Sequence, residues 1–150
     1  MPNHCYNRVK FYSDNEQVVQ TLYDIFENGT NPKNDLTVFG QIIPEPNWKT
    51  TPNKDGELPV DRESPYPPHF PKSGAIDDRW YDWRNANWGT KWDCYDLSID
   101  EDELPNGFEA SFNTAWCPPE EVCYALKEKF EGMSVSWFYD EEGMEVAGYL

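Results

Sequence analysis

The stretch CYNRVKFYSDNEQVVQTLYDIF, residues 5–26, changes its pattern of side chains part-way, and the fold prediction starts from that change. Its first seven residues alternate between two sets, which is typical of a strand with one buried and one exposed face. The set on the first face is Cys5, Asn7, Val9 and Phe11. From Val18 to Phe26 the apolar residues recur at helical spacing, with Asp14 as the predicted N-cap and Asn28-Gly29 as the end. This stretch therefore predicts a strand followed by a helix.

The next part of the chain combines a predicted strand with a proline-rich segment. Leu36 to Ile43 has the composition of a second strand. Eight of the 13 prolines then fall between Pro44 and Pro71. Proline fixes φ and lacks a backbone N–H, so this segment is neither a regular helix nor a regular sheet. Because aromatic residues are scattered through it, we expect an ordered, irregular insertion at about 44–90 within a single domain, 1–150.

The remaining sequence alternates between strand and helix patterns. The predicted elements are a short helix at 78–87, strands at 91–99 and 108–116, a helix from Pro118-Pro119 to Gly132, and a hairpin at 135–149. Helices separated by strands, and covering only one sheet face, fit a split βαβ arrangement. We therefore predict an α+β, ferredoxin-like antiparallel sheet with two helices on one face and a Pro-rich irregular insertion.

Charge is distributed unevenly along the chain. The formal net charge is −16, and residues 93–150 hold 15 acidic but only two basic residues. Such a distribution repels nucleic-acid phosphates and attracts basic proteins, so no nucleic-acid partner is expected. The predicted protein-binding residues are two acidic runs and Asp96, which lies near the first run. The runs are Asp100, Glu101, Asp102 and Glu103, and Asp140, Glu141 and Glu142. The other interpretation is that these side chains form a solvated surface without a partner.

Hydropathy and cysteine usage indicate a cytoplasmic protein without a membrane partner. The mean hydropathy is −0.85, and the N-terminal residues lack the pattern of a signal peptide. The four cysteines lack any metal-ligand or cluster-binding spacing, so we predict reduced thiols, no metal and no cofactor. Cys117 precedes a predicted helix, where a passive capping role is expected. No recognisable nucleophile or phosphate-binding loop is present, so no catalytic residue is predicted and a non-enzymatic protein is favoured.

Residues 79–93, RWYDWRNANWGTKWD, form the densest motif of the chain. In one interpretation its rings anchor the insertion to the sheet while its bases pair with nearby acids, with Trp88 and Trp92 buried. In the other, rings beside cations form a ligand-binding surface that stacks flat molecules. The candidate ligand-binding residues are Arg79, Trp80, Trp83, Arg84, Trp88, Lys91 and Trp92.

Several segments together resemble the YubB-like family of plasmid and bacteriophage proteins. They are Cys5-Tyr6-Asn7, Phe39 to Pro46, Asn87 to Asp93, Phe112 to Pro119, and the closing hairpin from Tyr139 to Gly148. The resemblance implies a ferredoxin-like domain without an iron–sulfur cluster, and a role on a mobile element. Cys117 stands where this family is expected to have Ser, which favours the capping role.

We therefore expect a non-enzymatic protein of a phage, plasmid or related element in the bacterial cytoplasm. Its acidic surface would bind a basic host or defence protein. The alternatives are a small-ligand or nucleotide-binding or -processing protein that uses the Trp-rich motif, and a structural or assembly protein. The sequence leaves the oligomeric state open.

Overall fold

A five-stranded antiparallel sheet lies at the centre of the computed structural model, which describes residues 3–61 and 67–150. The strands are β1 (His4–Tyr12), β2 (Tyr95–Asp100), β3 (Gly107–Ala115), β4 (Ser134–Glu141) and β5 (Val146–Tyr149). The helices are α1 (Glu16–Thr30), α2 (Val38–Ile42), α3 (Arg79–Asn87) and α4 (Glu120–Lys129). A 3₁₀ turn at Glu142–Met144 joins β4 to β5.

The strand order, β2-β3-β1-β4-β5, is that of a split βαβ sheet with one added edge strand. β1 and β2 are each antiparallel to β3, which lies between them, so they run in the same direction. The connection from β1 to β2 contains α1 and the long segment 31–94, and α4 connects β3 to β4. The predicted α+β, ferredoxin-like fold is confirmed.

The core lies between the helices and one face of the sheet. The alternation predicted for β1 is confirmed, since every second residue from Cys5 to Phe11 is buried and those between them are exposed. The Phe11 ring lies 5.0 Å from Phe108 and 5.7 Å from Phe26 of α1, centroid to centroid. Truncating such a ring to Ala generally costs about 3–5 kcal/mol. This aromatic layer holds α1 on the sheet.

The first helix begins one residue later than its predicted cap implies. Asn15, not Asp14, is the N-cap, and its side-chain oxygen accepts the backbone N–H of Gln17 at 3.1 Å. Asp14 instead accepts a hydrogen bond from the Tyr12 hydroxyl at 3.2 Å. Both residue types satisfy the free N–H groups of a helix start, so the sequence pattern alone does not separate them.

The strand predicted at 36–43 is wrong, because this segment forms the short helix α2. Thr37 caps it by accepting the Gly40 N–H at 2.9 Å. The Asp93 carboxylate accepts the next two free donors, from Val38 at 3.1 Å and Phe39 at 2.9 Å. With its first N–H groups satisfied from a residue distant in sequence, this single turn is stable as a helix.

In the described part of the chain the helices are short, and only α1 reaches 15 residues. A helix needs about 20 apolar residues to cross a bilayer. Within residues 3–61 and 67–150, no helix is long and apolar enough to do so. α3 differs from the others because none of its residues is fully buried.

Between α2 and α3, residues 43–61 and 67–78 are irregular but have internal hydrogen bonds. Residues 62–66 of the predicted insertion lie outside the described part of the chain. His69 forms isolated antiparallel bridges with both Val60 and Ile76. β2 then begins at Tyr95 rather than at Lys91, and an irregularity in its pairing with β3 follows at Asp96, where φ is +54°. Because β2 begins late, residues 88–94 lie outside the sheet. They contact α4 and α2 and help to form the candidate site.

Candidate functional site: a tryptophan-lined pocket

Trp88 connects the Trp-rich motif to the core. Its side chain is 1% exposed, and its indole N–H donates to the Ile43 carbonyl oxygen at 3.0 Å. Its ring meets Phe39 of α2 edge-on at 5.8 Å. Gly89 follows with φ +83°, a left-handed conformation that glycine adopts without strain. The prediction that Trp88 is buried is confirmed.

A line of three indole rings runs from Trp88 towards the surface. Trp83 of α3 lies edge-on to Trp88 at 5.8 Å, and Trp48 of the insertion lies edge-on to Trp83 at 6.4 Å. Perpendicular contacts of this kind are favourable beyond the area that they bury. The insertion and α3 are thus attached to the core through aromatic side chains, as the structural interpretation of the motif expects.

Arg79 fastens α3 to the insertion. It is ion-paired with the buried Asp77, with Nε and Oδ1 2.9 Å apart, and this hydrogen bond raises the pKa of Arg79 above its usual value. Its Nη2 donates to the Trp48 carbonyl oxygen at 3.1 Å. Its guanidinium also lies over the Trp48 and Phe70 rings, at 5.0 and 5.1 Å from their centroids. These contacts hold Trp48 in one position.

Arg84 is fixed in a similar way on the other side of α3. Its Nε is 2.8 Å from Glu45 Oε2. Its guanidinium lies between Trp80 and Trp88, at 5.2 and 5.0 Å from the two ring centroids. Glu45 also accepts the indole N–H of Trp48 at 2.9 Å. One carboxylate therefore fixes a cation and a ring at the same time.

These side chains surround an open pocket of about 690 Å³ between α3 and the insertion. That volume lies within the range of small-molecule sites. The lining residues are Glu45, Pro46, Asn47, Trp48, Lys49, Pro67, Pro68, Asp77, Trp80, Arg84 and Trp92. Three indole rings and three prolines make most of this wall apolar.

Trp92 borders the pocket and is not buried. Its side chain is 37% exposed, so the prediction that it packs inside the fold is wrong. The turn at Gly89 directs Trp88 inwards, whereas Trp92 reaches the surface, where Lys91 lies 4.5 Å from its ring centroid and Tyr95 meets its edge. Among the predicted ligand-binding residues, Trp80, Arg84 and Trp92 line the pocket, whereas Arg79, Trp83, Trp88 and Lys91 support it from behind or beside.

The carboxylates of the pocket wall are already paired with arginines of the chain. Asp77 pairs with Arg79 and Glu45 with Arg84, while Lys49 approaches Asp61 at 3.6 Å on the surface. In the part of the chain that the structure describes, the indole N–H groups of Trp80 and Trp92 have no hydrogen-bond partner. The pocket thus offers flat apolar faces and free N–H donors. Among its charged lining residues only Lys49 is weakly paired, because both side chains of its pair with Asp61 are more than half exposed.

The predicted acidic surface is divided between two ends of the sheet. Asp100 to Glu103 are exposed at the turn between β2 and β3, near the level of Lys10 in β1. Asp140, Glu141 and Glu142 lie at the other end, since Glu141 pairs with Cys5. These levels are five residues apart on β1, roughly 17 Å. Asp96 lies nearer the second end and accepts the side-chain N–H of Asn113 at 3.3 Å.

Two of these acidic residues have roles within the fold. Glu141 is 3% exposed, so the prediction that it is free to contact a partner is wrong. Its carboxylate accepts the Met144 N–H at the 3₁₀ turn at 2.5 Å, which draws the side chain inwards. Glu101 accepts the Tyr23 hydroxyl, and this hydrogen bond raises the pKa of Tyr23. The exposed members of the two runs are therefore fewer than the sequence indicates.

The four thiols are less ionised at neutral pH than a cysteine in water. All four are free, and burial raises the pKa of each; for Cys5 it reaches about 11. Cys117 donates its S–H to the Gly89 carbonyl oxygen at 2.9 Å rather than capping α4, so the predicted capping role is wrong. Within residues 3–61 and 67–150, no group of three or more potential ligand side chains is placed to hold a metal ion.

A protein-family model matches the second part of the chain. Residues 88–150 match the family model described as "Ferredoxin-like domain in Api92-like protein". This match begins at Trp88 and contains β2 to β5 and α4. Residues 88–150 are therefore similar to a ferredoxin-like domain. No curated protein matches the sequence.

The crystal structure of the protein Api92 from Yersinia pseudotuberculosis resembles the whole chain. The TM-score is 0.53 at 10% sequence identity, over 99% of this chain and 93% of that chain. A likeness at this level of identity shows a common fold and does not carry a function. It extends the ferredoxin-like description from residues 88–150 to the sheet as a whole.

Proposed function

We propose that this chain is a non-enzymatic binding protein whose tryptophan-lined pocket takes a neutral, flat organic ligand of about nucleoside size. The observation that carries the proposal is the pocket of about 690 Å³ bordered by Trp48, Trp80 and Trp92. Rings that are fixed before the ligand arrives lose little conformational entropy on binding. Glu45 and Arg79 provide that fixation for Trp48.

A flat ligand fits the chemistry of this wall. A planar ring that stacks on an exposed indole gains about 1–3 kcal/mol per stacked base in nucleic-acid-binding proteins. The free indole N–H groups of Trp80 and Trp92 would donate to carbonyl or ring-nitrogen acceptors at the ligand edge. Both requirements are met by heterocycles with polar edges.

A neutral ligand fits the charges. Asp77 and Glu45 are paired with arginines inside the wall, so neither carboxylates nor guanidinium groups are left for a charged ligand. A polyanion would in addition meet a chain of net charge −16. The proposal is therefore a single small molecule and not DNA or RNA.

The proposal includes a setting, namely a member of the YubB-like family on a bacteriophage or plasmid, acting in the bacterial cytoplasm. It is supported by the motifs Asn87 to Asp93 and Phe112 to Pro119. The match of residues 88–150 to a ferredoxin-like domain of Api92-like proteins agrees with the fold that the resemblance implies.

Saturation-transfer NMR with three neutral probes, adenosine, uridine and caffeine, tests the pocket. We expect transfer to the ring protons of at least one probe and quenching of tryptophan fluorescence on titration. Trp80→Leu and Trp92→Leu should each weaken binding about tenfold or more, since each loses a stacked face. Trp116→Leu is the matched control, because Trp116 is 47% exposed and does not line the pocket.

The proposal fails if none of the three probes shows transfer at millimolar concentration. It also fails if Trp116→Leu weakens binding as much as Trp92→Leu does, since the ligand would then bind any exposed indole.

Binding of a basic host or defence protein is a second, separate proposal. It is supported by Asp100 to Glu103, which form four consecutive exposed acids in one turn. Lys10 approaches Glu103 at 3.9 Å, but both side chains are more than half exposed, so this pair is weak and leaves the run available.

A further inference from the structure

The face of the sheet opposite the helices carries a second group of chemically distinctive side chains. The helices pack on the face that contains Val9 and Phe112, and the residues between them on each strand point the other way. One row of directly paired residues crosses all five strands on this open face. In order from β2 to β5 it is Ser98, Ser111, Arg8, Phe138 and Tyr149.

Arg8, at the centre of this row, is a cation without an acidic partner in the described part of the chain. Its guanidinium lies 5.2 Å from the centroid of the Phe138 ring and forms neither an ion pair nor a hydrogen bond there. By contrast, Arg79 and Arg84 are both paired with carboxylates. An unpaired guanidinium in a chain of net charge −16 has all its donors available for an anion.

Two aromatic rings lie side by side next to Arg8. Phe138 meets Tyr149 edge-on at 5.5 Å, and Tyr149 is 67% exposed. On the other side, Lys10 lies 3.7 Å from Glu109, so its charge is largely compensated. These residues, together with Ser136, surround a depression of about 340 Å³.

We propose that this depression binds a small aromatic monocarboxylate, with the carboxylate on Arg8 and the ring against Phe138 and Tyr149. The planar fork of a guanidinium matches a carboxylate in two parallel hydrogen bonds. A single negative charge is favoured over a phosphate dianion, because Arg8, Lys10 and Glu109 together carry only one net positive charge. The volume suits a molecule of one or two rings. This site is separate from the tryptophan-lined pocket and does not depend on its function.

A two-dimensional ¹H–¹⁵N NMR titration with phenylacetate tests the site, and phenylacetamide serves as its neutral counterpart. Phenylacetate should shift the signals of Arg8, Ser111, Phe138 and Tyr149, and should bind at least tenfold more tightly than phenylacetamide. Arg8→Gln should weaken phenylacetate binding about tenfold, while Arg8→Lys, which keeps the charge but loses the fork, should fall between. Tyr12→Ala is the matched control, because Tyr12 is exposed on the same face but does not line the depression.

Several results would overturn the proposal. Equal binding of phenylacetate and phenylacetamide to the unmodified protein would remove the role of Arg8 without requiring any variant to fold. Tighter binding of phenyl phosphate would replace the monocarboxylate by a phosphate ligand. Shifts confined to Trp80 and Trp92 would place the ring in the other pocket. Binding only of a peptide with a C-terminal phenylalanine, and not of phenylacetate, would replace the small molecule by a peptide.

Discussion

Trp137 donates its indole N–H to the side-chain oxygen of Asn7 at 3.0 Å, from β4 to β1 in the interior of the sheet. Both side chains are at most 1% exposed. The amide group of Asn7 also donates to the Cys5 carbonyl oxygen at 3.1 Å and to the Thr114 hydroxyl at 3.0 Å. Asn7 therefore joins three strands through one buried polar side chain.

Replacing Asn7 by Ala should destabilise the fold by about 3 kcal/mol, because it leaves the donors and acceptors of its neighbours buried without partners. Urea denaturation followed by circular dichroism measures the change. Asn113→Ala is the matched control, since Asn113 lies on β3 but faces the open side of the sheet. A loss of equal size in both variants would show that the buried network contributes nothing specific.

Trp88 and Trp92 should respond very differently to truncation. Trp88→Ala removes a fully buried ring that packs on Phe39 and should cost about 3–5 kcal/mol. Trp92→Ala should cost less, about 1–2 kcal/mol, because more than a third of that residue is already in contact with solvent. Thermal melts of the two variants distinguish these outcomes, and similar melting temperatures would contradict the assignment of Trp92 to a pocket wall.

The elements that were predicted correctly depend on local patterns. The alternation in β1 and the helical spacing in α1 follow from which side chains face the core, so the sequence contains them directly. α2 was missed because two of its N–H groups are satisfied by Asp93, more than 50 residues away in sequence. No local pattern contains that contact.

The candidate site was predicted only in part for the same reason. The motif at 79–93 identified the rings and the arginines. Glu45 fixes Arg84, and Trp48 completes the pocket wall. Both belong to the proline-rich insertion and have no distinctive spacing relative to α3. Which of Trp88 and Trp92 turns inwards depends on the conformation at Gly89 and not on either side chain.

The thiol of Cys5 should make stability depend on pH in the alkaline range. Burial raises the pKa of this thiol to about 11 in the folded state, whereas the pKa of a cysteine in an unfolded chain is about 8.5. Its stabilising contribution is complete below the unfolded value and is lost as the pH rises towards the folded value. Denaturation midpoints between pH 8 and 11 should therefore fall less steeply in Cys5→Ala than in the unmodified protein.

Alkylation gives an independent measurement of the same property. At pH 8, iodoacetamide should label Cys117 first, because it is the exposed cysteine, and should label Cys5 and Cys123 only slowly. In urea all four should react at similar rates. Rapid labelling of Cys5 in the folded protein would contradict the raised pKa and its cause.

The acidic turn between β2 and β3 should steer basic molecules towards this end of the sheet. Replacing Asp100 to Glu103 with Lys should lower the association rate of a decalysine peptide, measured by surface plasmon resonance, more than it changes the melting temperature. The effect should shrink as salt rises, because exposed charges are screened over about 8 Å at 0.15 M. A duplex DNA probe should show no binding to the unmodified protein at that ionic strength.

A control with the same change in net charge separates steering by this turn from attraction by the chain as a whole. Four exposed acids outside it serve this purpose when changed to Lys: Glu16, Asp24, Glu128 and Glu131. The turn variant should lower the rate more than this control, because field lines from four adjacent carboxylates add at one place on the surface. If both variants lower the rate equally, the acids act only through the net charge and the proposed contact with a basic partner is lost. Since Glu141 is buried and Asp140 lies at the opposite end of the sheet, changing Asp140 and Glu142 should not reproduce the effect of the turn.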